Sequence, residues 1–314
     1  MLLTNLYYHV KPFVPRSLQI AIRRMIVQGK RPSYTDIWPI DERAGIAPEG
    51  WTGWPEGKEF AFVLTHDVEG PKGTQRCHKL AEVDRSFGFK SCFNFVPQGC
   101  DVSRSLREDL VADGFEIGVH GLCHDGNLFS SRRKFDKMSE GIARYLEEWD
   151  AVGFRTPSMY HNLEWIGEMN VDYDSSTFDT DPYEPQADGM RTIFPFWVVN
   201  QSTGRRYLEL PYTLPQDFTL FVLMEERDTD VWKRKLDWIA ANGGMALLIT
   251  HPDYMNFGDM RNSMEEYPVG LYEDFLSYLK NAYEGKFWNA LPKEVAVFCE
   301  GTPEIWQQRT ECGG

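Results

Sequence analysis

From residue 60 onward the sequence keeps one rhythm, a short apolar run followed by a turn and a longer amphipathic stretch. Strand-like runs fall at 60–65, 91–96 (SCFNFV), 115–119 (FEIGV), 152–155, 171–175, 207–210 and 245–250 (MALLIT). Helical periodicity occupies 74–87, 103–113, 132–149 and 229–242, with a further helix at 269–283 and a last short unit at 286–301. Such alternation specifies an α/β fold with a mainly parallel sheet, either open or closed into a barrel.

The strands share a second habit: they end on polar groups. FAFVLT runs into His66, Asp67 and Glu69, and FEIGV into His120 and His124. VGF ends on Arg155, and MALLIT on His251-Pro252-Asp253. In a parallel α/β sheet the carboxyl ends of the strands lie on one face, where ligands bind, so these residues are expected to converge. His120 and His124 are four apart, a spacing that lets both imidazoles face one ion. A carboxylate such as Glu69 would complete a two-His, one-carboxylate set that leaves positions open for water and substrate. Asp67 would then be left to accept a proton from bound water, with Arg155 holding it ionised and His251 protonating a leaving amine or alkoxide. The parts describe metal-assisted hydrolysis of an amide or ester. Each motif alone has a plainer reading: two unrelated histidines, a helix cap, an ion pair, a structural turn.

Ahead of this region, 1–58 reads as an extension to a catalytic domain at 59–314. Within it, 15–28 (PRSLQIAIRRMIVQ) forms an amphipathic helix, with Pro15 at its start and Leu18, Ala21, Ile22, Met25 and Ile26 on one face. That face is expected to pack on the domain with the arginines turned away; the alternative is attachment to an anionic membrane surface. Residues 31–58 are loop-rich, and Trp38, Trp51 and Trp54 are expected to cap a core. Residues 1–35 contain six Lys/Arg and no acid, whereas the chain as a whole carries a net charge of -14, which argues against nucleic acid as a partner. Six scattered cysteines without a C-x-x-C pair fit free thiols in a reducing compartment. With no persuasive signal peptide and no run long enough to span a membrane, a cytoplasmic protein is expected.

Taken in order, LTHDVE, EIGVHGLCHDGNL, GFRTPS and LLITHPD resemble the motifs of the polysaccharide deacetylases (NodB-homology, carbohydrate esterase family 4), over about residues 60–255. The resemblance implies a distorted (β/α)7 barrel and a divalent metal, usually zinc, held by Glu69, His120 and His124. It also implies Asp67 as base, Arg155 orienting it, and His251 as acid. Family substrates are N-acetylated sugars, with relatives acting on other amides. Here His66 stands where the family usually has Phe, and Val68 separates the two acids. The fourth motif lacks its Trp; in YDSSTFDTDPY (173–183), Asp174 or Asp179 is expected to contact Arg155 or His251. The leading expectation is a deacetylase of an N-acetyl sugar in a glycan or glycolipid precursor, with possible peripheral membrane contact through 15–28. The alternatives are an amidohydrolase of a small non-sugar compound and an inactive sugar-binding barrel.

Overall fold

The computed structural model describes residues 15–258 and 263–301, leaving His9 and Cys312 outside. After helix α1 (Arg16–Lys30), β1 (Phe60–Val68) opens a run of strand–helix units: α2 (Pro71–Phe87), β2 (Ser91–Phe95), α3 (Arg104–Ala112), β3 (Glu116–His120), α4 (Arg132–Trp149) and β4 (Gly153–Arg155). A single turn, α5 (Leu163–Ile166), precedes β5 (Tyr173–Asp174), β6 (Phe196–Val199) and β7 (Arg206–Glu209). A π-helical segment (Phe218–Leu223), α6 (Asp230–Ala241) and β8 (Met245–Thr250) follow. The described chain closes with the short strands β9 (Met255–Asn256) and β10 (Tyr267–Pro268), then α7 (Val269–Tyr283), β11 (Phe287–Asn289) and α8 (Pro292–Glu300).

β1, β2, β3, β4, β5 and β7 pair in parallel in that order, and β8 lies parallel on the other edge of β1. β11 pairs only the first part of β1, through Phe60–Phe287 to Phe62–Asn289, and β6 adds antiparallel to β7. Past β7 the chain reaches β8: Thr213 and Leu214 donate backbone N–H groups to the Leu247 carbonyl, both at 3.1 Å, and Leu214 bridges Leu248. These contacts curl the seven parallel strands into a distorted (β/α)7 barrel, the architecture expected from the alternation and the resemblance.

All nine residues of β1 are buried, so strand period decides which side chain serves which core. Phe60, Phe62, Leu64 and Val68 pack outward under the helices, while Ala61 and Val63 join Met245, Leu247, Ile249, Leu208 and Leu210 inside the barrel. His66 follows the outward set. Its Nε2 lies 2.8 Å from Asp84 on α2 and its Nδ1 lies 2.7 Å from the Thr250 hydroxyl; Ser91 and Tyr272 also donate to Asp84. The histidine that stands in place of Phe is therefore a hydrogen-bonded core group facing away from the pocket, with its polarity satisfied.

The extension lies on the barrel. Trp38 and Trp54 are buried, and Trp51 packs edge-on against Trp54 and Phe194. Helix α1 forms as expected, but its faces are reversed. Arg16 pairs with Glu265, Arg24 with Glu225, and Arg24 also donates to the carbonyls of Val222 and Met264. Leu18, Ile22, Met25 and Ile26 point out and are 44–74% exposed. Acids and loop carbonyls at the barrel rim draw the guanidinium groups inward, and only Ile20 and Val27 are buried as apolar anchors.

Candidate active site

The inner-face alternation that places Ala61 and Val63 inside the barrel continues through Thr65, Asp67 and Glu69 at the carboxyl end of β1. Asp67 is fully enclosed: its Oδ1 accepts from Arg155 Nη1 at 2.8 Å and Asn94 Nδ2 at 3.0 Å, while Oδ2 faces His120 Nε2 at 3.9 Å. Burial pushes this carboxyl up, but Arg155, His120 and His251 outweigh it and hold the group down at about 2. Arg155, itself fully buried, is fixed by Thr65 Oγ1 at 2.8 Å, the Ser175 carbonyl at 2.8 Å and Ser175 Oγ at 2.6 Å. Its cation is therefore pre-aimed at Asp67. Gly118 on β3 makes room for this arrangement, since a Cβ there would stand 2.1 Å from the Asn94 amide oxygen.

Glu69, His120 and His124 offer ligand atoms that all lie within 4.8 Å of one another. His124 Nε2 is 2.9 Å from Glu69 Oε1, and Tyr254 donates to Glu69 Oε2 at 2.7 Å. His120 Nδ1 lies 3.2 Å from the Arg155 carbonyl; as a donor there, it leaves the Nε2 lone pair facing the cluster. Burial drops the His120 imidazolium to about 4, so the ring is neutral. Burial raises Glu69, but His124 and the other two histidines outweigh it and keep the group ionised. Two imidazoles and one carboxylate are the donor set a borderline cation accepts, and the residues fit a divalent metal.

His251 faces the same cluster, its Nε2 3.7 Å from Glu69 Oε1. Asp217 grips its other side, accepting from His251 Nδ1 at 2.6 Å and from its backbone N–H at 2.7 Å, and Tyr267 donates to Asp217 at 2.8 Å. Burial pulls the imidazolium down, but Asp217 outweighs burial and raises it to about 10. His251 is thus a cation held in place at neutral pH. Asp253 caps the turn after β1, accepting from the N–H groups of Glu69 and Gly73 at 3.0 Å each.

The expected acid from 173–183 is corrected. Asp179 touches neither Arg155 nor His251; its Oδ2 lies 2.5 Å from the buried ammonium of Lys235 on α6. Asp174 also fails to reach them. Tyr173 points into the barrel, so its neighbour Asp174 points out, beside Glu209 and bonded to Ser176 Oγ at 2.7 Å. Asp217 supplies the contact instead, eight residues past the end of β7, at the start of the π-helical segment. Asn94, at an inner-face position of β2, and Tyr254, just after the His-Pro-Asp run, are further members that no motif announced. Of the remaining histidines, His161 is buried against the Met159 carbonyl, and His78 is exposed near Asp109.

A two-His, one-carboxylate cluster beside a buried Asp–Arg pair and a carboxylate-held histidine, all at the carboxyl ends of parallel strands, has the layout of a hydrolase site. No protein-family model matches the chain, and none of the curated proteins matches it. Solved structures do. A Mycobacterium smegmatis protein assigned to the polysaccharide deacetylases superposes with a TM-score of 0.60 at 18% identity, over 81% of this chain and 95% of its own. PuuE allantoinase gives 0.60 at 16%, over 80% and 93%. A Pseudomonas aeruginosa protein assigned to the same deacetylases gives 0.58 at 16%, over 80% and 94%. At these identities the likeness establishes the fold, that of the NodB-homology deacetylases.

Proposed function

We propose that the protein is a metal-dependent hydrolase removing the acetyl group from an N-acetylated sugar of a glycan or glycolipid precursor. The observation that carries the reading is the convergence of Glu69, His120 and His124 beside Asp67 and His251 in one cavity. Glu69, His120 and His124 would hold the metal, with zinc best matched to the donor set. When bound, the metal supplies an acidified water and polarises the amide carbonyl. Asp67 accepts the proton of the attacking water through Oδ2, because Arg155 and Asn94 occupy Oδ1. Arg155 orients Asp67. His251, a cation steadied by Asp217, delivers a proton to the leaving nitrogen.

The test is acetate release from N-acetylglucosamine and its oligosaccharides, run beside cyclic ureides because an allantoinase shares the fold. Activity on the sugars is expected, lost on chelation and regained with zinc. Turnover of the ureides alone would replace the sugar with a small nitrogenous substrate.

Among the described residues no helix is long and apolar enough to cross a membrane. Five described cysteines are thiols, which supports a reducing, cytoplasmic setting. The outward stripe of α1 supports peripheral contact with the bilayer at the cytoplasmic face. Leu18, Ile22, Met25 and Ile26 are exposed together, Ile26 also lines the cavity, and residues 1–35 carry no acid to repel anionic lipid. The full chain is expected to co-sediment with vesicles containing phosphatidylglycerol, and the Ile22→Glu/Met25→Glu variant to stay in the supernatant. A full chain that also stays in the supernatant rejects the contact.

A further inference from the structure

The cavity, ≈ 450 Å³ in volume, has the reacting groups as its floor and α1 as one wall, with Arg16 and Arg23 lining it. Three arginines of this region have carboxylate partners: Arg16 with Glu265, Arg24 with Glu225 and Arg31 with Glu226. Arg23 differs. Among the described residues no carboxylate stands within ion-pair distance of it, and its half-buried guanidinium lies 4.8 Å over the Phe218 ring. Glu184, which lines the same cavity, is engaged elsewhere: its Oε1 accepts from the Tyr212 hydroxyl at 2.8 Å and Gln216 Nε2 at 2.5 Å, and burial pushes the carboxyl up. Arg16 commits only its Nε to Glu265, at 3.1 Å, and its two terminal nitrogens have no hydrogen-bond partner among the described residues.

Position matters as much as charge. The Phe218 ring beneath Arg23 lies 4.6 Å from the Tyr254 ring, whose hydroxyl holds Glu69. Two aromatic rings in succession thus separate the Arg23 cation from the carboxylate of the cluster, and both Arg23 and Glu69 line the one cavity. Arg16 lines the cavity with them: burial lowers its pKa, but Tyr254, Glu265 and Glu69 outweigh burial and raise it.

We infer that Arg16 and Arg23 form an anion subsite that takes a phosphate carried by the N-acetylated sugar. This rests on the deacetylase reading for the sugar and deepens it. One guanidinium satisfies a carboxylate bidentately, whereas two long side chains from one face of a helix, two turns apart and lining the same cavity, suit the larger charge and three acceptor oxygens of a phosphate. Both arginines come from α1, so the helix that supplies the outward apolar stripe also sets the charge preference of the cavity.

Calorimetry on the full chain tests the subsite with N-acetylglucosamine 1-phosphate, N-acetylglucosamine and inorganic phosphate. The phosphorylated sugar is expected to bind about tenfold or more tighter than the neutral one. Arg23→Gln and Arg16→Gln are each expected to remove most of that advantage. Arg206→Gln, whose cation lies over Trp197 outside the cavity, is expected to keep it. UDP-N-acetylglucosamine separates a pyrophosphate linkage from a monoester, since the better ligand of the two names the source. Equal affinity for the phosphorylated and neutral sugars, or an advantage that survives in Arg23→Gln, overturns the inference. Competition by inorganic phosphate reads the subsite even if no acetate is ever released, so failure of the deacetylase reading stays distinct. Conversely, acetate release with no phosphate preference removes the subsite and leaves that reading standing.

Discussion

Asp67→Asn is expected to lower acetate release by about 10²–10⁴-fold, the usual worth of a positioned general base, while the protein still binds one metal per chain. The geometry makes the substitution selective. Oδ1 of Asp67 accepts from two donors, Arg155 Nη1 and Asn94 Nδ2, so an asparagine there turns its only oxygen toward them. Its amide nitrogen then faces the cavity, where it cannot accept a proton. Glu69 keeps its bond from Tyr254, His120 its bond to the Arg155 carbonyl and His124 its contact with Glu69, so the metal set survives. Steady-state acetate release and mass-spectrometric metal content, measured together, check both halves. Activity near the parental level would remove Asp67 from the proton transfer; loss of metal would place it among the ligands.

Much of this site was legible because a β-strand has a period of two. With the barrel's inner face fixed by Ala61 and Val63, Thr65, Asp67 and Glu69 must follow inward and His66 outward. The same alternation assigns His120 and Arg155, whose preceding residues Val119 and Phe154 pack under the helices. It also argues against Asp174, which follows the inward Tyr173. Asp217 was beyond reach for a different reason. It lies outside the regular strands, in a segment whose π-helical path no periodicity marks, and it meets His251 only because the chain after β7 closes the barrel on β8.

Helix α1 shows where an amphipathic pattern misleads. The helix and its apolar stripe are plain in the sequence, but which face meets the protein depends on what the protein offers. Here the rim presents Glu225, Glu226 and Glu265 and the carbonyls of Val222 and Met264, to which arginine forks are better matched than leucine. The stripe is left outward. The expectation of packing on the barrel therefore holds with the faces exchanged: the basic side packs and the apolar side is exposed.

Lys235→Met is expected to destabilise the protein by about 3–5 kcal/mol at pH 7.5, because it breaks a buried ion pair from one side. The Lys235 ammonium is fully buried, 2.5 Å from Asp179 Oδ2 and 2.5 Å from the Pro39 carbonyl, so the substitution strands both. Burial raises the Asp179 carboxyl to about 6 even with Lys235 pulling it down, so removing the lysine raises it further. An acid whose folded pKa lies above its unfolded one is stabilising in its protonated form, and that contribution is lost as pH rises through the folded value. The defect is therefore expected to shrink at pH 5, where Asp179 is neutral in the folded variant. Adding Asp179→Leu removes the stranded carboxyl, and the double variant is expected to regain most of the stability at pH 7.5, apart from the undonated Pro39 carbonyl. Urea denaturation at the two pH values measures each step. A deficit that is equal at pH 5 and pH 7.5 would show that the cost comes from lost packing around α6 and not from the charge of Asp179.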